Sequence, residues 1–152
     1  MQFFSGLFSN RILIAAFFGW FTAQLLKTII YVLVNKTFDP ERLTGDGGMP
    51  SSHSATVMAL VTSTCFYYGT ASFEFAIAGV LALITMHDAM GVRRETGIQA
   101  KAINNMMEWL QELNNEINVE EKLKEFVGHT PLQVMFGAIL GVIVGLVVCN
   151  VF

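Results

Sequence analysis

The sequence predicts an all-α integral membrane protein: a bundle of about four transmembrane helices with an amphipathic helical segment on its cytoplasmic side. Hydrophobic residues make up 53% of the chain and charged residues only 14%, which is far from the balance of a soluble domain. Long apolar runs alternate with short polar segments, as expected of a chain that crosses a membrane several times. Because the chain has 152 residues, we expect one membrane domain over residues 1–152.

Four apolar runs predict the spans, at about residues 12–34, 52–68, 73–92 and 131–152. A helix rises 1.5 Å per residue, so about 20 residues cross a hydrocarbon core of about 30 Å. The loop at 36–50 is rich in Gly, Pro and Asp, and exposed irregular backbone of this kind does not cross lipid. In the last span, glycines at intervals of four predict close approach of a neighbouring helix.

The segment 93–128 is charged, yet apolar residues recur in it at helical spacing, which predicts an amphipathic segment. We expect two helices there, at about 97–115 and 119–127, with Asn118 and Glu121 marking the start of the second. Packing on the bundle or lying in the interface is favoured over a dedicated partner site. The apolar positions are Ile103, Met106, Leu110, Leu113 and Ile117.

Basic residues are distributed unevenly between the two predicted sides of the membrane. Seven lie on the side of the 36–50 loop and the 93–128 segment, whereas only Arg11 lies on the other. The positive-inside rule therefore predicts a multi-pass cell-membrane protein with the first side cytoplasmic. The chain has 9 Lys and Arg against 12 Asp and Glu, so it has no basic surplus to bind nucleic acid. The seven are Lys36, Arg42, Arg93, Arg94, Lys101, Lys122 and Lys124.

Three polar motifs fall at span ends on this predicted cytoplasmic face. Pro50-Ser51-Ser52-His53 begins the second span, a His87–Glu95 stretch ends the third, and Gly128–Pro131 precedes the fourth. Serines and backbone N–H groups at a helix start suit an anion, and an imidazole transfers protons. An ordinary helix cap would explain either serine alone, but it does not explain His53.

Charged residues near the same face suit a phosphate. Arg93 and Arg94 can hold one through paired N–H bonds, although a stop-transfer pair or a lipid-headgroup contact explains them equally well. A carboxylate near the membrane is costly unless paired, so Asp88 is predicted to be functional. Lys27, inside the first span, is either a phosphate ligand or a lysine that snorkels to the surface.

Two of these motifs resemble signatures of the phosphatidic acid phosphatase type 2 superfamily. Pro50-Ser51-Ser52-His53 is similar to its second signature, and the segment His129–Gln133, followed by spaced glycines, is similar to its third. The blocks GMPSSHSA, DAMGVRR and GHTP together resemble the divergent branch of that superfamily. The chain has Gln133 where the main branch has an aspartate and Leu123 where it has an arginine, and it lacks the first signature.

The resemblance implies a membrane lipid-phosphate phosphatase that acts through a phosphohistidine without metal or cofactor. It assigns His129 as the nucleophile and His53 as the acid that protonates the leaving oxygen. Asp88 or Gln133 would orient the nucleophile, and the phosphate would be held by Lys27, Ser51, Ser52, Arg93 and Arg94. The substrate would be phosphatidylglycerol phosphate, phosphatidic acid or a polyprenyl phosphate, and a cytoplasmic site favours the first two.

Two alternatives stay open from the sequence. In the first, Asp88 and Glu95 bind Mg²⁺ in a metal-dependent phosphotransferase or phosphatase. In the second, the chain is a non-catalytic lipid-binding or transport protein whose altered motifs mark an inactive site. Four short spans bury little surface, so the chain is also a candidate for homodimerisation.

Overall fold

The computed structural model describes residues 2–38, 40, 48–113, 122–124 and 128–151. This part of the chain contains helices and no strand, so the predicted all-α class is confirmed. In chain order the helices are α1 (Gln2–Ser9), α2 (Arg11–Asn35), α3 (Ser52–Tyr68), α4 (Phe73–Met90), α5 (Val92–Leu113) and α6 (Pro131–Val151).

Polar residues cap the starts of the long apolar helices. The side-chain oxygen of Asn10 accepts the backbone N–H groups of Ile12 and Leu13, each at 3.1 Å, at the start of α2. The hydroxyl of Ser72 accepts the N–H of Phe75 at 3.1 Å at the start of α4. Such caps satisfy backbone donors that have no partner inside the helix.

Helix α3 is the centre of the bundle, with α2, α4 and α6 packed around it. Gly19 of α2 lies against Ala55 and Ala59, and a Cβ at this glycine would come within 2.7 Å of the Ala55 carbonyl oxygen. Along α6, three glycines face successive turns of α3. The small residues let the backbones approach closely, with α2 antiparallel and α6 parallel to α3. The three are Gly137, Gly141 and Gly145.

Three helical stretches of the described residues are long and apolar enough to cross a membrane: Arg11–Asn35, Phe73–Leu113 and Pro131–Val151. At 17 residues α3 is shorter, so the count of four spans stays a prediction. Its hydroxyl groups donate back to carbonyls one turn earlier, as Thr56 does to Ser52 at 2.7 Å and Ser63 does to Ala59 at 2.8 Å. Polar side chains are thereby satisfied inside an apolar helix.

The amphipathic helix α5 begins at Val92, directly after α4, rather than near residue 97 as predicted. The Ile103 and Met106 side chains on its apolar stripe are exposed. The second predicted helix, at 119–127, with its start signals Asn118 and Glu121, falls largely outside the described residues, and 122–124 are not helical. The amide side chain of Asn104 exchanges two hydrogen bonds with the backbone of Leu123, at 2.9 and 3.0 Å.

Candidate functional site

The start of α3, the end of α4 and the start of α6 meet at one end of the bundle. The backbone N–H of Ser51 donates to the carbonyl of Gln133 at 3.1 Å, and the N–H of His129 donates to the carbonyl of Ala89 at 2.9 Å. These two bonds connect the three polar motifs directly. Because the helices alternate in direction, motifs far apart in sequence come together at this end.

His53 and His129 form the centre of the candidate site. Their ring centroids are 6.3 Å apart and the ring planes are inclined at 60°. His129 is 3% exposed, whereas His53 is half-buried. A hydrogen bond spans about 3 Å between heavy atoms, so one phosphoryl group between the rings can contact both.

The side-chain oxygen of Gln133 contacts the ring of His129. Oε1 of Gln133 accepts the backbone N–H of Thr130 at 3.0 Å, which identifies that atom as the amide oxygen. The same oxygen lies 3.3 Å from Nδ1 of His129. Since an amide oxygen only accepts, this contact is a hydrogen bond when Nδ1 carries the hydrogen, and in that neutral tautomer the lone pair lies on Nε2.

Gln133 is also part of a capping box at the start of α6. The hydroxyl of Thr130 accepts the backbone N–H of Gln133 at 3.4 Å, while the Gln133 side chain returns to the N–H of Thr130. Pro131 occupies the first helical position, where its missing N–H costs nothing. Thr130 was not among the predicted site residues, although the Thr-x-x-Gln spacing is a sequence signal of this cap.

Gly128 brings the segment before His129 against the first turn of α5. Its φ is +86°, a conformation that favours glycine. A Cβ at this position would collide with the backbone N of Arg94 and would come within 2.7 Å of the carbonyl carbon of Arg93. The two arginines and His129 are therefore neighbours through backbone packing.

Asp88 pairs with Arg93. Its Oδ2 accepts from Nε of the arginine at 2.8 Å, and both side chains are partly exposed. Asp88 and Gln133 were the two residues considered for orienting His129. Gln133 makes that contact, and the carboxylate of Asp88 is directed to the guanidinium instead.

The remaining predicted ligands are mostly buried. Lys27 is 4% exposed, and a Cβ at Gly48 would lie 3.0 Å from its Cγ, so the lysine stem lies along the loop before α3. Ser51 is fully buried, and its hydroxyl accepts the N–H and the O–H of Ser54 at 3.4 and 3.0 Å. Ser51 therefore acts as the helix cap, and Ser52 follows it at 5% exposed.

The residues of the metal-dependent alternative lie on consecutive helices. Asp88 is in α4 and engages Arg93, while Glu95 is exposed in the first turn of α5. Within the described ranges, no three or more His, Cys, Asp or Glu side chains are grouped in a way that could hold a metal ion.

The chain is similar to a known protein family and to a known membrane protein. The model of the Divergent PAP2 family matches residues 8–144. The chain is similar to the uncharacterized membrane protein YuiD of Bacillus subtilis (strain 168), with 37% identity over 155 aligned residues. The alignment covers 96% of this chain and 98% of that protein. No solved structure matches.

Proposed function

Because the chain belongs to the divergent PAP2 family, as its motifs predicted, we propose that it is a membrane phosphatase that cleaves lipid phosphates through a phosphohistidine. The pairing of His53 with His129, with Nδ1 of His129 held by Gln133, is the observation that carries this function. An imidazole that carries its hydrogen on Nδ1 has its lone pair on Nε2, the atom that attacks phosphorus.

In the first step, Nε2 of His129 attacks the phosphorus of the lipid phosphate and the bond from phosphorus to the lipid oxygen breaks. His53 donates a proton to the leaving oxygen as general acid, so the lipid departs as a neutral alcohol. For a diphosphate substrate, the leaving group is the lipid monophosphate. The hydrogen bond from Nδ1 to Gln133 is retained while positive charge develops on the ring of His129.

In the second step, water attacks the phosphohistidine. His53, now the base, takes a proton from that water, and the bond between phosphorus and Nε2 of His129 breaks. Inorganic phosphate is released and both imidazoles return to their starting forms. The cycle consumes one water and needs no metal.

Three cations are assigned to the phosphate oxygens. Arg93 and Arg94 lie beside the backbone of Gly128, immediately before His129, and Lys27 is buried near the loop that leads into α3. Guanidinium and ammonium donors offset the negative charge that spreads over the phosphoryl oxygens in the transition state. Ser52 begins α3, where the N-terminal end of the helix also favours an anion.

The distribution of basic residues supports a cytoplasmic location of this end of the bundle. Seven of the nine lysines and arginines belong to the loop and segment on this side. The substrate is then a lipid phosphate presented from the inner leaflet.

Purified protein in lipid nanodiscs, offered a panel of lipid phosphates, tests the function. We expect release of inorganic phosphate that is insensitive to chelator, and acid-labile label on the protein after brief exposure to ³²P-labelled substrate. Acid-labile label that forms on the wild type but not on His129→Ala supports the phosphohistidine. Activity abolished by chelator would favour Asp88 and Glu95 with Mg²⁺, and binding without turnover would favour the non-catalytic alternative.

A further inference from the structure

Two apolar clefts lie end to end along the seam between α2 and α6. One has a volume of about 270 Å³ and the other about 250 Å³, and they share Ile143. On α2 the seam is lined at every fourth residue, by Phe18, Thr22, Leu26 and Ile30. The α6 wall consists of Phe136, Ile139, Leu140, Ile143, Val144, Val147, Val148 and Val151.

The first cleft reaches the end of the bundle that carries the candidate site. It is bounded by Met49 and Pro50, the two residues directly before Ser51. Phe136 follows Gln133 by almost one helical turn, and Leu140 lies on the same face of α6 as Gln133 because seven residues make two turns. On the facing helix, the lining residue Leu26 directly precedes Lys27.

The seam is longer than one leaflet of the membrane. Between Phe136 and Val151, a rise of 1.5 Å per residue gives a path of roughly 22 Å along α6. One leaflet contributes about half of a hydrocarbon core of about 30 Å. A chain that filled the seam from the candidate site would therefore pass beyond the membrane midplane.

We propose that this seam binds the hydrocarbon chain of the substrate, and that the substrate is a single-chain lipid phosphate whose chain is longer than one leaflet is deep, of the polyprenyl class. This rests on the proposed function, since it places the phosphate at His129. The site and the seam together match the polarity of such a molecule. Imidazoles and cations lie at the end that would hold the phosphate, and the seam that would hold the chain is lined by apolar side chains and one threonine. The cytoplasmic face alone favoured phosphatidylglycerol phosphate or phosphatidic acid, and the length of the seam favours a longer chain.

Selectivity for chain length follows from packing. In a bilayer the lipid chain is already surrounded by hydrocarbon. Its binding in the seam is therefore stabilised by close van der Waals contact rather than by removal from water. Ile143 is 53% exposed and borders both clefts, so a larger side chain there blocks the passage between them. A chain that ends above Ile143 is unaffected by such a block.

The test compares Ile143→Trp with Leu83→Trp in nanodiscs. Leu83 is 67% exposed near the middle of α4 and lies outside both clefts, so it controls for a bulky apolar residue on the surface of another apolar helix. The substrates are hexyl phosphate, farnesyl phosphate, a long-chain polyprenyl phosphate and dioleoyl phosphatidic acid. A photoreactive polyprenyl phosphate, with its reactive group near the end of the chain, measures binding independently of turnover.

For wild type and Leu83→Trp we expect kcat/KM to rise from hexyl to farnesyl to polyprenyl phosphate. In Ile143→Trp the ratio of the polyprenyl value to the hexyl value should fall by about ten-fold, about 1.4 kcal/mol, relative to Leu83→Trp. The photoreactive chain should label α2 and α6 below Ile143 in wild type, and this label should be lost in Ile143→Trp.

Equal chain-length profiles in the two variants, or label on α4 rather than on α2 and α6, would refute the seam as the chain site. Disulfide cross-linking of Ile143→Cys between two copies in membranes would assign the seam to a dimer interface instead. The proposed function fails on a different result, namely no phosphate release from any substrate, including hexyl phosphate. Labelling would still report whether the seam takes a chain.

Discussion

The side-chain oxygen of Gln133 lies 3.3 Å from Nδ1 of His129 while it accepts the backbone N–H of Thr130 at 3.0 Å. One amide oxygen therefore caps α6 and favours the tautomer of His129 that carries its hydrogen on Nδ1. The neutral amide takes the position of the aspartate in the main branch of the superfamily. It orients the ring, although it provides no negative charge to stabilise the imidazolium.

Gln133→Ala should lower both stability and activity, because it removes the cap and the orienting acceptor. We expect a loss of about 1 kcal/mol in the free energy of unfolding. The fall in kcat should be about ten-fold, as for one neutral hydrogen bond. Thermal unfolding and initial rates measure the two effects.

Two matched variants distinguish the role of Gln133 in capping α6 from its role in orienting the ring of His129. Thr130→Val removes only the hydroxyl half of the capping box, so it should lower stability with little change in kcat. Gln133→Glu keeps an oxygen acceptor in both roles and should retain activity. If Thr130→Val cost as much activity as Gln133→Ala, the contribution of Gln133 would be to helix stability alone.

Substitutions of the two histidines should differ in how their effect on turnover depends on the leaving group of the substrate. His129→Ala is expected to abolish turnover of every substrate, whereas His53→Ala should slow lipid phosphates by about 10²–10⁴-fold through loss of general acid catalysis. p-Nitrophenyl phosphate has a leaving group that needs no proton, so His53→Ala should affect it much less. Equal losses on both substrates would show that His53 is not the acid.

Asp88→Asn should have a small effect on stability and a larger effect on substrate binding. The Asp88–Arg93 ion pair is partly exposed, with side chains 40% and 45% accessible, so its loss should cost less than about 1 kcal/mol. Released from Asp88, the guanidinium of Arg93 is less fixed, and KM should rise while kcat stays within a few-fold. Glu95→Gln is the control, since no change in KM is expected there.

Gly128→Ala should disrupt the site through the backbone. The added Cβ would meet the backbone of Arg94, and the positive φ of this residue disfavours a side chain. Gly69 has a similar φ of +78° with open space around its Cβ position, so Gly69→Ala shows the cost of the conformation alone. Gly128→Ala should lose more stability than Gly69→Ala and should also lose activity. Equal losses of stability in the two variants would exclude a clash at position 128.

The orientation is testable with single cysteines in a chain whose native Cys65 and Cys149 are replaced by alanine. Thr37→Cys lies in the loop on the predicted cytoplasmic side, and Ser5→Cys lies in α1 on the other. In intact cells an impermeant thiol reagent should label the cysteine at position 5 and leave that at 37 unlabelled. The reverse pattern would invert the topology.

Much of the helical pattern could be predicted because it depends on local composition. Hydropathy located the apolar runs that form α2, α3, α4 and α6, and their alternation in direction placed the three polar motifs at one end. The amphipathic helix was less well bounded: α5 begins at Val92, before the predicted 97, because it continues from α4 almost without a break. No hydropathy signal marks such a continuation.

The membrane class and the family motifs follow from the sequence, and so does the choice of His53 and His129 as candidates, since each depends on residues close together in the chain. The contacts of each candidate residue depend on the tertiary structure. Gln133 rather than Asp88 meets His129, Asp88 pairs with Arg93, and Ser51 is buried as a cap. These partners depend on shifts of a few ångströms between helices, which are set by close backbone contacts such as those of Gly128 and Gly137.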